Sequence, residues 1–122
     1  MSNNWVIKGP NKSLELEEPI RFTYTSNRSL VFDFDPEVLA YKEFRDCDVV
    51  INVQELSGNN ISVDIVSVVS GIEYVERTLN VTGGSSVQYK TLSNTKYRIY
   101  AYATVAGVQG DMLLGVRITY YR

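Results

Sequence analysis

The sequence contains no histidine and a single cysteine, and each shortage closes off a class of chemistry. Without an imidazole there is no Ser-His-Asp triad, no Cys-His nucleophile and no imidazole ligand for zinc or iron. Cys47 alone cannot close a disulfide within the chain or supply a CxxC metal site. Its neighbours Asp46 and Asp48 raise a thiol pKa, so a reactive thiolate is disfavoured and a buried place on a strand is expected. No run of 18 apolar residues is present, so no membrane-spanning helix is expected. The first residues, Met1 to Ser13, lack a basic stretch followed by an apolar one. No secretory leader is expected, which fits a cytoplasmically made component of a particle, spore or virion. Positive charge is also scarce: 12 Lys and Arg against 14 Asp and Glu leave a net charge of −2. A nucleic-acid partner, whose phosphates demand a basic footprint, is not expected.

What is present has the period of strands. The chain of 122 residues is long enough for one core, and 44% hydrophobic with 21% charged residues is ordinary for a globular domain. Apolar and polar side chains alternate over Ile20–Thr25, Leu30–Asp35, Cys47–Gln54, Ile72–Val81, Lys96–Val105 and Met112–Tyr121. Val87 and Tyr89 mark a further short strand. In Ile61–Val68 the apolar positions shift phase after Ile65, the pattern one bulge produces. Turn residues at Ser26-Asn27, Ser57–Asn60, Ser70-Gly71, Thr82–Ser85, Ser93–Thr95 and Gly107–Asp111 separate these runs. About eight strands at this spacing predict an all-β fold, an antiparallel β-sandwich of jelly-roll type. The one helical candidate is Pro36–Phe44, where Asp35 can cap and Pro36 suits a first turn; a short helix or an irregular crossover is expected there.

Residues 1–18 stand apart as an N-terminal arm or connector, with the sandwich over 19–122. Trp5, Val6 and Ile7 form a short apolar strand-former, and Gly9–Ser13 then breaks the chain. Such an arm can dock on the edge of its own sheet or on that of a neighbouring copy, which would build a filament or ring.

Three further features invite functional readings. The pairs Asp33/Asp35 and Asp46/Asp48 each set two carboxylates on one strand face, which would suit calcium if the two strands met. No glycine-spaced calcium loop accompanies either pair, so solvent-facing aspartates near strand ends are the simpler reading, and no catalytic pair, metal site or cofactor is assigned. Tyrosine dominates the aromatics, nine against four phenylalanines and one tryptophan, and concentrates toward the C-terminus. By alternation Arg98, Tyr100 and Tyr102 share one strand face, and Arg117 and Tyr121 share another. If those strands pair, the five residues make one aromatic-basic surface suited to a protein interface, to a glycan, or to sheet stabilisation alone. Sequons at Asn11, Asn27, Asn60 and Asn80 read as turn-rich composition rather than glycan sites.

The C-terminal third carries a resemblance. Val81-Thr82-Gly83-Gly84-Ser85-Ser86-Val87, followed by Gly115-Val116-Arg117-Ile118-Thr119-Tyr120, is similar to the closing strands of bacterial endospore-appendage subunits. That resemblance implies a small jelly roll that polymerises through an N-terminal connector, a role that would fall to residues 1–18. The cysteine-bearing connector of that family has no counterpart, since Cys47 lies within the body. The reading from sequence is therefore a non-enzymatic subunit that associates with copies of itself into a filament, appendage or virion-type particle. A carbohydrate-binding module is the alternative.

Overall fold

The period-two runs become ten strands among the described residues, which are 4–93 and 95–122 of the chain in this computed structural model. Met1–Asn3 of the expected arm and Asn94 of the expected Ser93–Thr95 turn lie outside them. In chain order the elements are β1 (Trp5–Lys8), β2 (Ser13–Leu16), β3 (Ile20–Tyr24), β4 (Ser29–Phe34), α1 (Pro36–Leu39), β5 (Asp46–Glu55), β6 (Ile61–Val69), β7 (Ile72–Val81), β8 (Ser86–Leu92), β9 (Lys96–Ala103) and β10 (Gly110–Tyr121). The first sheet has the order β1-β2-β10-β5-β8. β3 lies beside β10 along its Gly110–Leu114 half, while β2 pairs with its Arg117–Ile118 half. The second sheet has the order β4-β9-β6-β7, and every pairing in both is antiparallel. From β3 onward the chain passes back and forth between the sheets, as a jelly roll requires. The eight strands expected from periodicity are β3–β10; β1 and β2 come from the arm.

The alternation explains the core. Val49, Ile51 and Val53 of β5 and Met112, Leu114 and Ile118 of β10 face Ile61, Val63 and Ile65 of β6 and Ile99 of β9, all essentially inaccessible to solvent. Each such side chain contributes about 1.5–3 kcal/mol of burial, an upper figure because the unfolded chain is already partly collapsed. Cys47 belongs to this core; burial first, then the charges of Asp46 and Asp48, push its thiol up to about 11.

The expected crossover is a single helical turn. Asp35 caps it by accepting the Glu37 N–H at 3.0 Å, and Pro36 occupies the first turn, where its missing N–H costs nothing. Beyond Leu39 the chain is irregular, and Phe44 packs edge-on to Tyr120 with centroids 4.8 Å apart.

The phase shift in β6 has a different origin from the one expected. The ladder does shift between Ile65 and Val66, but the extra residue, Glu76, is on β7: Ile65 pairs with Arg77 and Val66 with Val75. β6 alternates without interruption. Val66 sits opposite Arg98 on the face away from the core, yet it is buried. The apolar residue that suggested a slip is thus an outward-facing residue covered by its neighbours.

At one end of the sandwich a carboxylate that periodicity does not pick out joins three segments. Glu55, at the end of β5, is 1% exposed. Its Oε1 accepts N–H bonds from Gly58, Asn59 and Gly84, and its Oε2 accepts the Ser57 N–H at 2.9 Å and the Tyr24 hydroxyl at 2.5 Å. Burial acts to raise the Glu55 pKa, but these donors outweigh it and hold the carboxyl below its ordinary value. Tyr24, buried against that carboxylate, is pushed up to about 12. The loops here approach closely. A Cβ on Gly83 would lie 2.4 Å from the Gly58 carbonyl, so the first glycine of the turn expected at Thr82–Ser85 is fixed by space rather than by φ.

Candidate assembly surfaces

The sandwich has two flanks at which sheet edges lie open. On one, β1 of the first sheet faces β4 of the second; on the other, β8 faces β7. The described part of the arm takes its own edge in the single chain. β1 pairs with β2 from Trp5↔Leu16 to Lys8↔Ser13, and Leu14 and Leu16 enter the core. Trp5 closes the gap between the sheets, its ring centroid 6.0 Å from that of Phe32 and 6.1 Å from that of Phe34. Val6 is half-buried and Ile7 is 51% exposed. β1 is held by a ladder to β2 alone, through a turn in which Gly9 and Lys12 both have positive φ. Lys12 pays about 1–2 kcal/mol for that conformation. The Tyr41 hydroxyl donates to the Lys12 carbonyl and ties the turn to the α1–β5 loop.

On the other flank the β6–β7 hairpin carries apolar side chains into solvent. Ser70 and Gly71 both adopt positive φ, which suits a tight two-residue turn. Val69, Ile72, Tyr74 and Val75 around it are 47–57% exposed. Natural edge strands are usually blunted by charge, and the first half of β7 offers only Glu73 and Glu76 to do so.

The five residues expected to share one surface are divided between the two sheets. Arg98, Tyr100 and Tyr102 lie on β9, and Arg117 and Tyr121 lie on β10, which does not pair with β9. The correction has a physical origin. Both strands turn one apolar face to the same core, and residues 104–109 carry the chain across from one sheet to the other instead of closing a hairpin. Alternation alone reads the same in either case.

Each group sits in its own polar network. The Arg28 guanidinium lies 3.9 Å over the Tyr100 ring and bonds Asp64 Oδ2 at 2.7 Å, while Thr78 donates to Asp64 Oδ1 at 2.7 Å. Tyr100 and Arg98 both donate to Glu73 Oε2, at 2.5 and 2.7 Å. These donors, Tyr100 first, hold the Glu73 carboxyl below its usual range. One face of Tyr100 and its hydroxyl are therefore occupied, which leaves it a poor platform for a sugar ring. On the opposite sheet Tyr121 donates to Asp48 at 2.8 Å, and Lys90 lies 3.4 Å from the same carboxylate. Tyr121 and Arg117 line a polar depression of about 280 Å³ beside the β1–β2 turn.

The acidic pairs do not meet. Asp33 and Asp35 belong to and follow β4 in one sheet, while Asp46 and Asp48 lie on β5 in the other. Asp35 caps α1 and Asp48 receives Tyr121, and among the described residues no three acidic or thiol groups come together as a metal cluster. Asp64 and Glu55, the two carboxylates most committed to buried networks, were not singled out by spacing. For Asp64 the available signal is an acidic residue flanked by Val63 and Ile65 inside a strand; Glu55, after Gln54 at a strand end, carries no such signal.

No protein-family model and no curated protein matches this chain by sequence. Its fold does have solved counterparts. A structure described as Bacillus endospore appendages forming a novel family of disulfide-linked pili aligns over 98% of this chain and 95% of that one, at 16% identity and a TM-score of 0.54. A structure of PirA aligns over 86% of this chain and 94% of that one, at 8% identity and a TM-score of 0.52. The VP2 subviral particle of infectious bursal disease virus aligns over 89% of this chain but only 32% of its own, at 9% identity and a TM-score of 0.55. The chain thus resembles the endospore-appendage subunit in fold over nearly its whole length, and the jelly-roll class is shared with a viral capsid protein.

Proposed function

We propose that this chain is a non-enzymatic structural subunit that polymerises with copies of itself, using its open sheet edges and its N-terminal arm. The observation that carries this reading is the arm itself. β1 is a terminal strand on a single ladder, anchored by one tryptophan in the gap between sheets. A strand held in that way can leave its own edge and occupy the same position on a neighbour, exchanging equivalent contacts at low cost. Support from other proteins comes from the pilus subunit of Bacillus endospores, whose fold covers almost all of this chain. The capsid protein with the same fold adds a second instance of a particle-forming jelly roll.

The test compares the full chain with one lacking residues 1–12, by electron microscopy and light scattering. The full chain is expected to form particles or filaments, and the shortened one to remain a folded monomer, because Leu14, Leu16 and the rest of the core are retained. Identical particles from both chains would discard the arm. A full chain that stays monomeric at high concentration would discard the function.

A further inference from the structure

We propose that successive copies join through the second sheet, with β7 of one copy pairing antiparallel to β4 of the next and Tyr74 seating against the neighbour's Phe34. This names the contact within the self-association proposed above, and it rests on that reading. The second sheet has four strands, each antiparallel to its neighbour, so its two edges, β4 and β7, run in opposite directions. A copy shifted sideways by one sheet width therefore presents its β4 antiparallel to the first copy's β7, and the ladder continues without reversal. In the first sheet the five-strand path from β1 to β8 leaves its edges running the same way. The same shift would give a parallel pair there, which is the weaker ladder, and β1 offers only four residues to it.

Register follows from the rows that already cross the sheet. Phe34 pairs with Tyr97, Tyr97 with Ser67, and Ser67 with Tyr74, so the next residue in that row is Phe34 of the following copy. The adjacent row runs Asp33, Arg98, Val66, Val75, and sets Val75 opposite the next Asp33. The two flanks suit each other in shape and chemistry. β7 and its turn present Val69, Ile72 and Tyr74 on the face turned toward the other sheet and Val75 on the opposite face, each 47–57% exposed. Beside β4 lies a groove of about 330 Å³ whose apolar lining is Trp5, Phe32, Phe34, Val38 and Leu39, with Asp33, Asp35 and Lys96 also lining it, and Val38 is 80% exposed. The hairpin and the groove are at the same end of the sandwich, because the Phe34–Tyr74 row joins them. The occupant of the groove is thus the hairpin of a second copy. A contact between unlike surfaces does not end at a dimer; it continues into a ring where the rotation between copies closes, and into a filament where it does not.

Residues directly opposite in an antiparallel pair are close enough for a disulfide. The experiment therefore mixes two full-length variants, Val75→Cys and Asp33→Cys, under mild copper-phenanthroline oxidation, with the native Cys47 buried and out of reach. A cross-linked dimer is expected in the mixture and in neither variant alone. Val75→Cys cross-linking to itself would mean a two-fold contact and overturn the proposal. No mixed cross-link from an unmodified chain that does assemble would overturn it while leaving the subunit function standing. An unmodified chain that never assembles would overturn both. As a second readout, Tyr74→Asp is expected to raise the concentration needed for assembly at least about tenfold, with unchanged circular dichroism; an unchanged assembly concentration would contradict the proposal.

Discussion

Replacing Glu55 with glutamine changes one oxygen for an NH₂ group, and the structure says what that should cost. The carboxylate accepts four backbone N–H bonds and one tyrosine hydroxyl while 1% exposed. A glutamine whose oxygen takes the place of Oε1 keeps Gly58, Asn59 and Gly84 as donors, and Tyr24 can rotate its hydroxyl to accept from the new NH₂. The Ser57 N–H is left facing a donor. Orphaning one buried N–H costs about 1–3 kcal/mol, and the surviving bonds fall from charge-assisted to neutral strength, a further loss of roughly 0.5 kcal/mol or more each. Glu55→Gln should therefore destabilise the fold by about 3–4 kcal/mol. With a urea m-value of about 1.5 kcal/mol/M, the unfolding midpoint falls by about 2 M. The effect should also depend on pH with a definite sign. The Glu55 carboxyl is held below its ordinary value, so its contribution is complete above the unfolded pKa and is lost as pH falls through the folded one. Wild type and variant should differ most near neutrality and converge in acid. A midpoint shift below about 0.3 M at pH 7, or a gap that widens on acidification, would refute the account of this cluster.

Other consequences are simpler to read. Gly83→Ala should cost about 1–3 kcal/mol in thermal or urea unfolding, because its Cβ meets the Gly58 backbone, while Gly115→Ala, with nothing nearer than 3.8 Å, should cost much less. Cys47 should resist a thiol reagent at pH 8 in the native protein and react promptly once unfolded, since it is fully buried and its thiol is pushed up to about 11; fast native labelling would place it outside the core. Arg28→Ala should destabilise by about 1–2 kcal/mol, because it leaves the buried Asp64 carboxylate with Thr78 alone, and Asp64→Asn in the same background should recover part of that loss. Trp5→Ala should lower the assembled fraction in light scattering while leaving a folded chain.

The eight strands of the jelly roll were legible because one sheet face is buried and the other wet, and that condition writes itself into the sequence with period two. Val49, Ile51 and Val53 illustrate it: each is buried, and Asn52 and Gln54 between and after them are exposed. The helical turn was legible through Asp35 and Pro36. What alternation cannot carry is the identity of the sheet to which a strand belongs. β9 and β10 follow each other with matching patterns, and only the path of residues 104–109 between the sheets separates Tyr100 from Tyr121. The bulge shows the same limit. Val66 broke the pattern in β6 because it faces away from the core and is nevertheless buried, whereas the extra residue is Glu76 on its partner strand. Glu55 was hidden for a related reason: four of its five partners are backbone N–H groups, which have no letter of their own.

Self-association of this chain, as proposed above, is open to sedimentation velocity of the whole chain over a hundredfold range of concentration. Species that grow with concentration and pass beyond a dimer are expected. A single boundary at the monomer mass across the whole range would contradict self-association.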